Sequence, residues 1–275
     1  MIESVPPAPR ARMPWGGTAA VAIFCAEWRS GFRSGWFVAL VTMPMVLFVL
    51  FGATVHGHLR GGLPVAAMLM VSFTCFGVVN QAIFAVGVAA AEQRGSGWLR
   101  RLRVSAMPMW SFFGGKVLLG FAAATVVLAG NAVLARCVGV GLPLGHLLRL
   151  WVVVLFGVVC LAPFGFALAY WVRPGAAGVI GNLVFLPLSY TSGFMTPVSG
   201  LPAPVAALSP YLPTLHWGNL AWAAIATQGQ AADFGVRSPG HPWQDVAIVL
   251  AWALAAAVLA TLGWRRDRDR DRIRG

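Results

Sequence analysis

LPVAAMLMVSFTCFGVVNQAIFAVGVAAA, Leu63 to Ala91, contains no charged side chain. A helix rises 1.5 Å per residue, and about 20 apolar residues suffice to cross the hydrocarbon core of a bilayer. The stretch is longer than a crossing requires, so it reads as a span that tilts or runs on into water. Outward from it, five further runs have spanning character: Ser34–Val55, Val117–Ala135, Leu150–Val172, Ala176–Thr196 with Pro187 as a kink, and Val246–Trp264. The expected fold class is an all-α integral membrane protein with six transmembrane helices.

Composition supports that class. Hydrophobic residues make up 59% of the chain and charged residues 10%, against about 25% charged in a soluble domain. The charges are segregated, which leaves lipid as the solvent for most of the surface. With six spans and both ends in the cytoplasm, only Arg60, Arg136, Arg149 and Arg237 of the 20 basic residues fall outside, as the positive-inside rule demands. A seventh span would export the arginine-rich end.

Between the fifth and sixth runs, Pro197, Pro202, Pro204, Pro210 and Pro213 interrupt an uncharged stretch. Thr214–Thr227 is too short to cross, so re-entrant or interfacial short helices are expected, with Trp217 and Trp222 at the headgroup level. Thr18–Arg33, apolar but carrying Glu27, Arg29 and Arg33, reads as an amphipathic helix on the cytoplasmic face. The domain division is 1–17 as a disordered tail, 18–264 as one six-helix domain and 265–275 as a basic tail. The proline-rich start has no apolar core and does not resemble a signal peptide. Cys25, Cys75, Cys137 and Cys160 form no CxxC or Cys/His cluster, which argues against a disulfide framework or a zinc site.

The largest cytoplasmic loop is Ala91–Leu118. Glu92–Arg103 can form a short helix with Trp98, Leu99 and Leu102 on one side and arginines around them. A retained basic loop needs no such apolar side, so the segment reads as a docking surface. Gly114-Gly115-Lys116 is not a phosphate loop, because Val117 follows the lysine and Trp110 stands where the first glycine belongs. Lys116 reads as a membrane-edge anchor.

Polar groups expected mid-span are Asn80, Gln81, Asn131, Asn182 and Tyr190. Asn80, Gln81, Asn182 and Tyr190 are the candidates for a translocation path, and bonding between neighbouring helices is the plain alternative. No acid or lysine sits mid-span, which disfavours an ion-coupled carrier. His56, His58, His216 and His241 read as ordinary loop histidines, since a metal site needs three or four convergent ligands.

The order Glu92, Arg94, Gly97, Leu99, Leu102, Pro108, Gly115-Lys116 resembles the membrane subunit of type-2 ABC exporters. Ser192–Trp217, SGFMTPVSGLPAPVAALSPYLPTLHW, is similar to the signature that follows the fifth span in that family. Within it, the chain resembles the daunorubicin-resistance type of actinobacterial drug-exporter permeases. The resemblance implies a pair of such subunits in a bacterial inner membrane, in contact with lipid, above two separate ATPase subunits that hold the ATP and magnesium. This chain would bind no cofactor of its own and no nucleic acid. Glu92, Arg94, Gly97, Trp98, Leu99, Leu102 and Arg103 would form the ATPase-coupling helix. Arg100 and Arg101 stand where the family often has an acid. The competing readings are a polytopic membrane enzyme acting on lipid and a secondary multidrug carrier.

Overall fold

The computed structural model describes residues 16–98, 109–236 and 241–274, and among these the fold is helical with no strand. Helix α1 is Gly16–Ser34, and α2 is Trp36–Gly52 with a π-helical last turn. Gly35, at φ 75°, lets the chain turn by 76° between them, a left-handed backbone that glycine adopts without steric cost. Helix α3 is Val65–Gly95, α4 is Met109–Cys137 and α5 is Leu144–Trp171. Then come α6 (Ala177–Thr191), α7 (Ala203–Leu208), α8 (Pro213–Ala223), α9 (Gln228–Asp233) and α10 (Pro242–Arg274).

Four of these helices, α3, α4, α5 and α10, are each long and apolar enough to cross a membrane, and the bent pair α1 and α2 passes the same test together. Two expected spans appear as shorter helices. The first ends at Gly52, and Pro44 interrupts its hydrogen-bond ladder. The fifth stops at Thr191, five residues early, because Gly193 turns left-handed at φ 81°. There the Phe194 N–H donates to the Ser189 carbonyl and the Gly193 N–H to the Tyr190 carbonyl, which caps the helix end.

Helix α3 is the axis of the bundle. In its most apolar window 89% of residues are buried by other protein, against 22% in α10, which lies at the periphery. That is why the α3 sequence is apolar on every side. From Gln81 to Val88 the helix widens to π geometry. There it meets α5 backbone to backbone: a Cβ on Gly165 would stand 2.1 Å from the Ala82 carbonyl oxygen and 3.0 Å from the Gly87 nitrogen. Asn131 of α4 donates to the Thr74 hydroxyl of α3 at 3.0 Å, so this amide bonds neighbouring helices.

Trp217 and Trp222 do not face the headgroups but pack inside the protein. They are 0% and 1% exposed, and each indole N–H finds an internal partner, the Val153 carbonyl at 2.9 Å and the Ser72 hydroxyl at 3.1 Å. With its polar tip satisfied, a tryptophan contributes its full apolar area to a core. Gly157 makes the room for Trp217, since a Cβ there would lie 2.2 Å from the indole.

Candidate functional site

At the Gly95 end of α3, two polar networks gather the bundle. The first is buried. Glu27 on α1 accepts from Lys116 Nζ on α4 at 3.1 Å and from Gln93 Nε2 on α3 at 2.6 Å. The Lys116 side chain is 0% exposed and that of Glu27 9%, and the ammonium lies 3.4 Å from the Ala85 carbonyl in the π-helical stretch. Lys116 is therefore not a membrane-edge anchor. It is an internal tie, placed there because Gly115 beside it lets α1 approach. A Cβ on Gly115 would sit 2.6 Å from Ile23, one turn before Glu27 on the same face of α1. The Gly-Lys pair thus combines close approach with charge pairing.

The second network belongs to Arg94. Its guanidinium donates to the carbonyls of Tyr170 at 3.0 Å and Val172 at 2.5 Å, at the C-terminal end of α5. Carbonyls there lack helical partners, so a forked cation satisfies two of them at once. Asp267 on α10 lies 3.6 Å away and completes a junction of α3, α5 and α10.

Around these ties sit the other expected coupling residues. Glu92 is exposed and lines a cleft of about 590 Å³ with Glu27, Ser30, Trp36, Phe84 and Gln93. Gly97 turns left-handed at φ 72°, just past the end of α3. Trp98 is half-buried, its ring 5.9 Å from that of Phe112, so part of it is committed within the chain. Leu99, Leu102 and Arg103 lie outside the described residues.

The four path candidates do not converge. Asn80 and Gln81 are buried in α3, and neither amide atom of Gln81 has a hydrogen-bond partner among the described residues. Asn182 and Tyr190 are exposed on α6, and Asn182 bonds back to the Gly178 carbonyl. The cavity that does lie between α3, α5, α6 and α8, about 240 Å³, is lined by apolar side chains such as Val79, Ala82, Ile83, Ile180, Val184 and Leu188.

Reading the sequence missed the roles of Glu27 and Lys116. The available signal was an acid one turn after Ile23 on an apolar face. It also missed His216, which is buried against Asp245 at 2.6 Å rather than free in a loop. No group of three or more metal-ligating side chains occurs among the described residues.

An apolar helical bundle with ties of this kind defines a membrane-embedded helical protein. Residues 18–221 match the family described as ABC-2 type transporter. The chain belongs to the ABC-2 type transporter family of membrane permeases, whose partner is an ABC ATPase. It is also 20% identical over 259 residues to a Bacillus subtilis (strain 168) protein named "Putative transport permease YvfS", covering 86% of this chain and 92% of that one.

Proposed function

We propose that the chain is the transmembrane subunit of an ATP-driven exporter, with a separate ATPase docked at the Gly95 end of α3. The observation that carries this reading is the meeting of both polar networks at that end, directly beside Glu92–Trp98. A push on the loop reaches α1 and α4 through Glu27 and Lys116, and α5 and α10 through Arg94. An ammonium buried with its carboxylate partner resists separation, so the tied helices move together.

In this reading six segments cross the membrane. The shorter α2 and α6 are the first and fifth, α7 to α9 are re-entrant, and both termini are cytoplasmic in a bacterial inner membrane. Two copies pair to enclose a path for a bulky amphipathic cargo, a drug or a lipid-like molecule, as in the daunorubicin-resistance type. The long apolar α3 and the absence of a mid-span acid among the expected spans favour such cargo over a coupled ion.

The test is to purify the chain alone and with its ATPase partner. The lone chain should hydrolyse no ATP, while the pair should isolate as two membrane and two ATPase subunits with cargo-dependent hydrolysis. Azide-resistant ATPase activity from the lone polypeptide at high purity would end this reading.

A further inference from the structure

At the opposite end of the bundle a second buried ionic contact has no part in that mechanism. His216 on α8 is 3% exposed, and both of its ring nitrogens are engaged. Nδ1 stands 2.6 Å from an Asp245 carboxylate oxygen and Nε2 2.8 Å from the Pro210 carbonyl oxygen. A backbone carbonyl only accepts, and so does an ionised carboxylate, so a ring that satisfies both donates from both nitrogens and is an imidazolium. Asn219, one turn further along α8, donates to the same Asp245 oxygen at 3.4 Å, and Asp245 is itself 4% exposed. The contact joins the turn Ser209–Tyr211, helix α8 and helix α10.

Its position follows from α10. Asp245 and Asp267 are about 33 Å apart along the helix at 1.5 Å per residue, close to the roughly 30 Å hydrocarbon core. Asp267 faces Arg94 at the coupling end, so Asp245 and His216 lie at the other boundary of the membrane, within reach of protons in the water there.

We propose that His216, Asp245 and the Pro210 carbonyl form a proton-held latch that pins α8 to α10 and loosens when the proton leaves. Once neutral, the ring has one N–H for two acceptors, and its free lone pair faces an oxygen. Among the described residues, α8 also bonds to the uncharged Ser72 of α3, the Val153 carbonyl of α5 and Ser192 at the end of α6. On α9, Asp233 is paired with Arg60. Asp245 is the charge in contact with the ring. Its hydrogen bond raises the proton affinity of His216 above the ordinary value, burial works against it, and the net direction is upward. A raised folded value means the latch is complete below the free-histidine value of about 6.5 and is lost as pH rises through the higher folded value. Loosening α8 would free the short helices beside it, and this holds whether or not an ATPase drives the chain.

The experiment uses the full chain in lipid nanodiscs with ¹⁵N-labelled histidine. The signal of His216 is the one missing from His216→Gln; the other four histidines supply references that are not fully buried. Below about pH 6.5 both nitrogens of His216 should carry protons, and the ring should titrate above about 6.5. In Asp245→Asn the titration should move below the wild-type value. Thermal unfolding supplies a second reading: the wild-type midpoint should fall more steeply above pH 6.5 than that of His216→Gln. A ring that loses its second proton at or below about pH 6.5, or no change of titration in Asp245→Asn, would overturn the latch.

Discussion

The Lys116 side chain is fully buried, so the worth of its contact is set by what remains when one partner goes. Lys116→Met leaves the Glu27 carboxylate buried with Gln93 as its remaining partner among the described residues. Removing one half of such a pair typically destabilises by about 3–5 kcal/mol, whereas replacing both halves with apolar groups is often neutral. Thermal unfolding of Lys116→Met, Glu27→Leu and the double variant should therefore show two large losses and substantial recovery in the double. If the double variant is as unstable as the sum of the singles, the two residues are not partners. Arg94→Lys is the companion test. A lysine keeps the charge but has no planar fork to reach two carbonyls, and the loss of a hydrogen bond to a charged group costs about 1.5–3 kcal/mol. Transport should fall further than the level of inserted protein does. Equal transport per inserted molecule would remove Arg94 from the coupling route.

At the scale of the helices, the contact between α3 and α5 depends on two glycines. Gly165→Ala puts a methyl group against the Ala82 carbonyl and the Gly87 nitrogen, both backbone atoms that cannot swing away. Overpacking of this kind costs typically about 1–3 kcal/mol, and a rigid obstacle lies at the upper end. Gly178→Ala, whose added carbon meets nothing within 4 Å among the described residues, serves as the control. The yield of folded protein should drop for the first and hold for the second, and matching yields would show that the crossing tolerates more space than its geometry gives. The helices themselves were legible because their signal is local. The uncharged run from Leu63 to Ala91 and the Thr18–Arg33 segment announce α3 and α1 by composition alone. What was not legible depends on which residues meet across helices. The indoles of Trp217 and Trp222 have the chemistry of a headgroup anchor, yet a carbonyl on α5 and a hydroxyl on α3 take them inside. Lys116 likewise looks like a boundary residue until Glu27, far away in sequence, arrives beside it. The end of α6 at Gly193 was hidden because an apolar run looks the same whether or not a glycine turns it left-handed.

For the whole molecule, the claim to be tested is that the Gly95 end of α3 faces the cytoplasm and receives the ATPase, while the Arg60 end faces outside. The proposed six spans would put most of the 20 basic residues of the sequence on that cytoplasmic side, as the positive-inside rule expects. The two exposed native cysteines, Cys25 and Cys137, are first replaced by serine. A new cysteine is then placed at exposed Ser96 or exposed Gly61, and both variants are expressed with the ATPase partner in intact cells. A membrane-impermeant maleimide and a cysteine-directed crosslinker read the two positions side by side. Cysteine at Ser96 should be protected from outside label and crosslink to the ATPase, while cysteine at Gly61 should label from outside and never join it. Outside labelling at Ser96, or an ATPase crosslink from Gly61, would contradict the account.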